Sequence, residues 1–156
     1  MGIKAQMAAP RKGGEPGAPP SSRDPDRPSN PADSPLTMLV FSNDDAVQSL
    51  AAEAAVPPWS VERCTDVGES RSRLVKPGVR LVVVDDAAIE ESTRGWVLEQ
   101  IRKYAVRAMV VYIASDHSDQ SERRARAFPV QYYTSKPLDH DRALRVLQSF
   151  VVRSSH

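Results

Sequence analysis

The sequence of 156 residues contains one cysteine, Cys64, so neither an internal disulfide nor a cysteine-built metal cluster is available to it. It lacks a Gly-rich phosphate loop, a G-x-G-x-x-G turn after its first apolar run, Cys/His spacing for zinc and a G-x-S-x-G nucleophile elbow. These gaps argue against nucleotide-dependent, dinucleotide-dependent, zinc-dependent and serine-hydrolase chemistry, and no enzyme is expected. No stretch approaches the roughly 20 apolar residues that span a bilayer, and the N-terminal segment has no apolar run of the secretory kind. Gly2 is no myristoylation site, because Gln6 stands where that motif needs Ser or Thr. A soluble, cytoplasmic protein is the expectation. The formal charge of +1 gives no general attraction for anionic membranes or nucleic acid. No basic strand interleaved with aromatics and no recognition-helix pattern supplies a local one.

What the chain has is divided unevenly. Residues 1–35 hold eight of the 13 prolines, several Gly and Ser, and charges of both signs, with almost nothing aliphatic. Such a segment cannot offset the entropy of ordering it, so a disordered arm is expected over 1–35 and a single folded domain over 36–154. With the last helix ending close to His156, no output domain is expected to follow, and the domain would act through partners or self-association.

From Leu36 onward short aliphatic runs alternate five times with helix-compatible segments. The strands are expected at 36–41, 59–65, 81–84, 109–114 and 130–134. The helices are expected at 46–55, 68–74, 94–104, 115–126 (with a thin apolar face) and after Ser135-Lys136-Pro137, where Ala143, Leu144, Leu147, Phe150 and Val151 recur at helical spacing. The third run, Leu81-Val82-Val83-Val84, is continuous and β-branched, as suits a central parallel strand covered on both faces. The fold class is therefore α/β: a (βα)5 doubly wound, parallel five-stranded sheet of the flavodoxin-like kind. Trp59 and Trp96 are expected to pack against the sheet, and Cys64 to be a small buried residue.

In such sheets ligand chemistry gathers at the carboxyl ends of the strands. Here that rule selects Ser42-Asn43-Asp44-Asp45, Asp85-Asp86, Ala114-Ser115-Asp116 and Lys136-Pro137. Carboxylates at several strand ends with one lysine among them suit a hard cation and a phosphoryl group, since oxygen ligands match Mg2+ and an ammonium neutralises phosphate oxygens. His117 beside Asp116 is expected to be a solvated loop histidine. Arg123, Arg124, Arg126, Arg142 and Arg145 form either a solvated helix surface or, with Phe128, Tyr132 and Tyr133, a basic docking stripe.

The spacing from Val82-Val83-Val84-Asp85 to Tyr133-Thr134-Ser135-Lys136-Pro137-Leu138-Asp139 resembles the receiver domains of two-component response regulators, as an atypical member, across nearly all of 36–154. The resemblance implies that Asp85 is the phosphoacceptor, that Lys136 contacts the phosphate, that the bond from Lys136 to Pro137 is cis, and that Ala114 and Tyr133 occupy the switch positions. The implied Mg2+ positions are Asn43, Asp44, Asp85 and Ala87. The family's acidic pair falls on Ser42 and Asn43, and its hydroxyl residue after the fourth strand on Ala114. Ile89 replaces the usual proline, and the loop to Gly95 is about two residues longer than the family's.

Phosphoryl transfer depends on positioning and charge neutralisation, and each unit charge near a cation is worth ~4 kcal/mol at ~4 Å with an effective dielectric of ~20, before hydration. Two missing carboxylates imply weak Mg2+ binding, and no other cofactor is expected. Two readings stand at this level. One is a pseudo-receiver docking module with weak or absent phosphorylation. The other is a working phosphoacceptor that uses Asp44 or Asp86 to hold Mg2+. The expected partners are proteins, a histidine kinase or a downstream signalling protein, with a homodimer left open. A flavodoxin-like enzyme or ligand binder in the same crevice is a third, weaker reading.

Overall fold

The computed structural model describes residues 35–155, so the expected arm, up to residue 34, lies outside the described residues. Five strands, β1 (Leu36–Phe41), β2 (Trp59–Arg63), β3 (Val79–Asp85), β4 (Met109–Ala114) and β5 (Tyr132–Ser135), form one parallel sheet in the order β2-β1-β3-β4-β5. The connecting helices are α1 (Asp45–Ala54), α2 (Ser70–Leu74), α3 (Glu91–Tyr104), α4 (Asp119–Arg126) and α5 (His140–Ser154). This is the flavodoxin-like fold read from the alternation of runs, with its topological switch point between β1 and β3.

Period-two alternation along the strands divides the core in two. Leu81 and Val83 of β3 pack with Met38, Val40, Val47, Leu50, Leu147 and Phe150 under α1 and α5. Val82 and Val84 face the other way, into Leu39, Phe41, Val97, Ile101, Val110 and Tyr112 under α2 and α3. All four β3 residues are buried, each worth about 1.5–3 kcal/mol, which is why the continuous run holds the centre of the sheet. The helices begin where side chains can cap them. Asp44 Oδ1 accepts from Ala46 N (2.9 Å), Ser118 Oγ from Ser121 N (3.1 Å) and Asp139 Oδ1 from Arg142 N (3.2 Å).

At the amino ends of the strands β3 carries an irregularity, its register with β1 shifting between Thr37 and Met38. Thr37 N donates to Gly78 O at 2.7 Å, and an added Cβ on Gly78 would stand 2.0 Å from the Pro35 carbonyl oxygen. Only glycine fits there.

Several expectations shift. β2 stops at Arg63 rather than residue 65, and β5 starts two residues later than expected, at Tyr132. α3 begins at Glu91, three residues before the expected start. α4 shrinks to eight residues with Ala125 alone buried, as its thin apolar face implied. Trp59 is buried, its indole donating to Ser155 Oγ at 2.9 Å. Trp96 does not pack against the sheet as expected: it is 46% exposed, because the inward face of α3 is set by Val97, Leu98 and Ile101 and Trp96 lies outside that arc. Cys64 is buried, and burial raises its thiol pKa. Among the described residues no helix is long and apolar enough to cross a membrane.

Candidate functional site

The carboxyl ends of β1 and β3 meet at the switch point, where Phe41 pairs with Val84, so the next residues, Ser42 and Asp85, are brought side by side. The Ser42 hydroxyl donates to Asp85 Oδ2 at 2.7 Å. The same oxygen accepts from Lys136 Nζ at 3.0 Å, and Asp85 Oδ1 accepts from the backbone N–H of Ala87 at 3.2 Å. The Asp85 side chain is 1% exposed, and both of its oxygens are engaged by donors of the chain itself. Burying a carboxylate is tolerable only under such compensation.

Lys136 reaches this point from the end of β5, where its N–H donates to Ala114 O at 2.9 Å and the bond to Pro137 is cis, as the resemblance implied. Its ammonium also lies 2.9 Å from Asp44 Oδ2. Burial opposes the charge on Lys136, but hydrogen bonds to Asp44 and Asp85 outweigh it and hold its pKa above the ordinary lysine value. The Lys136 bond in turn lowers the Asp44 pKa, with help from the Ala46 N–H. Asp44 thus has two tasks, capping α1 with one oxygen and pairing Lys136 with the other.

Of the positions expected for Mg2+, Asp44 and Asp85 are bridged by the lysine ammonium. Asn43 is exposed, and the N–H of Ala87 is turned to Asp85. Among the described residues no group of three or more His, Cys, Asp or Glu is arranged to hold a metal ion. His117 is exposed, its ring 3.5 Å from Ser135 Oγ.

Asp86 has a separate environment. Its side chain is also buried, but its partners belong to β4 and the loop beyond it. The Tyr112 hydroxyl donates to Oδ2 at 3.0 Å and the Ser115 N–H to Oδ1 at 2.7 Å. Arg94 from α3 stands 3.8 Å from Oδ2, while its Nε donates to the carbonyls of Asp86 and Ile89, both at 3.1 Å. Burial, then the neighbouring Asp86 charge, pushes the Tyr112 pKa well above the usual tyrosine value. The Tyr112 ring stacks on Tyr133, centroids 5.7 Å apart and planes 7° from parallel. Ala114, the other expected switch position, is buried and has only a methyl group to offer.

Sequence reasoning named Asp85, Lys136 and Tyr133 and missed the parts played by Ser42, Tyr112 and Arg94. A signal existed for Tyr112: a phenol inside the aliphatic run Met109–Ala114 needs a buried hydrogen-bond partner. The arginines expected to form a stripe are exposed; Arg126 also pairs with Glu122 at 2.8 Å and Arg124 with Glu91 at 3.6 Å.

No protein-family model and no curated protein sequence matches the chain. Solved structures do. A CheY-like response regulator receiver domain protein from Methanospirillum hungatei is 15% identical with a TM-score of 0.63, over 77% of this chain and 96% of its own. A response regulator from Thermotoga maritima is 19% identical with a TM-score of 0.59, over 75% and 98%. A putative pilus assembly protein (cpaE) from Burkholderia thailandensis is 16% identical with a TM-score of 0.60, over 75% and 98%. Residues 36–154 have the flavodoxin-like fold of response-regulator receiver domains.

Proposed function

We propose that this domain is an atypical receiver, a pseudo-receiver of two-component-type signalling that acts by protein–protein contact, with weak or absent phosphorylation of Asp85. The observation that carries this reading is the closed shell around Asp85. Ser42, Lys136 and the Ala87 N–H occupy both carboxylate oxygens, and the side chain is almost wholly covered. An in-line phosphoryl donor needs one of those oxygens free and a divalent cation beside it. The Lys136 ammonium lies between Asp44 and Asp85, which supports a reading in which Mg2+ competes poorly for the two carboxylates. The partner is a protein, a kinase or a downstream signalling component, and the docking side is the α4–β5–α5 face with its exposed arginines. The location is cytoplasmic.

The competing reading, a phosphoacceptor at Asp85 with Mg2+, draws on one observation: Lys136 already contacts the carboxylate that would be modified. Amide NMR of the full chain with beryllofluoride and Mg2+, using Asp85→Ala as control, separates the two. The expected result is an unchanged spectrum at high Mg2+. Shifts around Asp85, Ala114 and Lys136 that vanish in Asp85→Ala would establish a phosphoacceptor.

A further inference from the structure

Asp86 joins three parts of the domain through a single carboxylate. It sits in the turn that ends β3, takes a hydrogen bond from Tyr112 inside β4, and takes another from Ser115, the first residue of the loop leading to α4. Arg94 adds a cation behind it and fixes the turn by holding the carbonyls of Asp86 and Ile89. A carboxylate with no exposed surface holds such donors strongly, because no water competes for them and losing one leaves a buried group unmatched.

The constraint extends beyond Asp86. With its hydroxyl fixed, the Tyr112 ring has a set plane, and the Tyr133 ring lies nearly parallel against it. The Tyr133 hydroxyl is buried and has no hydrogen-bond partner among the described residues. Its side chain is therefore held by packing alone, against the core under α2 and α3, the Tyr112 ring and the guanidinium of Arg126 on α4, 5.8 Å from the ring centroid. A path of direct contacts thus runs from Asp86 through Tyr112 and Tyr133 to α4, while Ser115 connects Asp86 to the loop before that helix.

We propose that Asp86 is a positioning residue for the α4–β5 face: its carboxylate holds Tyr133 through Tyr112 and holds the α4 loop through Ser115. The surface offered to a partner is then set from inside the domain, with no group added to Asp85. This rests on the pseudo-receiver reading for its biological meaning, and on the geometry alone for the tether.

The test is NMR of the full chain, without beryllofluoride. Tyr112→Phe keeps the ring and the stack and removes the hydroxyl. It should shift and broaden the Tyr133 ring signals and displace amide signals over residues 125–135, with the rest of the spectrum intact. Asp86→Asn keeps an acceptor for Ser115 and gives Tyr112 a donor, so it should reproduce the wild-type pattern over 125–135. Asp86→Ala should speed exchange of the Ser115 amide by about 10-fold or more. If Asp86→Ala does not fold, Tyr112→Phe decides alone. Tyr133 and 125–135 signals in Tyr112→Phe that superpose on wild type overturn the tether. A beryllofluoride response in the wild type overturns the sealed Asp85 and leaves the tether standing wherever Tyr112→Phe still releases Tyr133.

Discussion

Asp85 and Asp86 are neighbours in sequence and alike in burial, yet they belong to opposite halves of the domain. Asp85 continues the alternation of Leu81 and Val83 and meets the end of β1, where Ser42 follows Val40 and Met38, with Lys136 closing over it. Asp86 turns to the other face and meets Tyr112, which shares a core with Val82 and Val84. The first carboxylate is balanced mainly by a lysine, itself 23% exposed and shared with Asp44. The second is balanced by fixed donors of a tyrosine and a backbone amide, with an arginine at longer range. One residue of strand period therefore separates a carboxylate within reach of the crevice from one built into the core.

Removing each carboxylate should separate them most sharply. Asp86→Ala leaves a buried hydroxyl and a backbone N–H without acceptors and Arg94 without its nearest anion, and is expected to cost about 3 kcal/mol or more. Asp85→Ala also takes the acceptor from the buried Ser42 hydroxyl and from the Ala87 N–H, but Ala87 is exposed and Lys136 stays paired with Asp44, so the cost should be nearer ~2 kcal/mol. Urea midpoints at pH 7 check both, with equal losses contradicting the asymmetry.

A smaller contrast is expected at alkaline pH. The Tyr112 phenol keeps its proton in the folded chain above the pH at which it ionises unfolded, because it is buried and faces Asp86. The stability it contributes is complete below about pH 10 and declines as pH rises toward the folded value, by up to about 1.4 kcal/mol per pH unit. Tyr112→Phe should flatten that part of a stability–pH curve. Asp85→Ala should leave it unchanged.

The (βα)5 alternation and the places of Asp85 and Lys136 at strand ends were legible in sequence because they rest on local signals in correct order: a β-branched run ending in aspartate, and Lys-Pro after a fifth strand. Trp96 lies outside the expected packing because the phase of α3 is set by Val97, Leu98 and Ile101, whatever the size of a neighbouring ring. The bond from Ser42 to Asp85 joins residues 43 apart, and that from Tyr112 to Asp86 joins residues 26 apart. Such pairs follow only from strand register, which apolar periodicity does not fix to the residue. Ser42 has no carboxylate to offer, and its hydroxyl's own contact with Asp85 carries no local signal in the sequence.

The smallest effect belongs to Asp44, which binds the same lysine from a more exposed position. Its pKa is lowered first by the hydrogen bond from Lys136 and then by the Ala46 N–H, so it contributes stability above about pH 4 that is lost as pH falls through the folded value. Solvent screening limits that contribution to less than about 1 kcal/mol. Asp44→Asn keeps an acceptor for the helix cap and removes the charge, so the expected outcome is a slightly lower plateau at neutral pH and a shallower loss below pH 4. An equal loss in wild type and Asp44→Asn would assign the acid sensitivity to the buried carboxylates, and would leave Lys136 serving Asp85 alone.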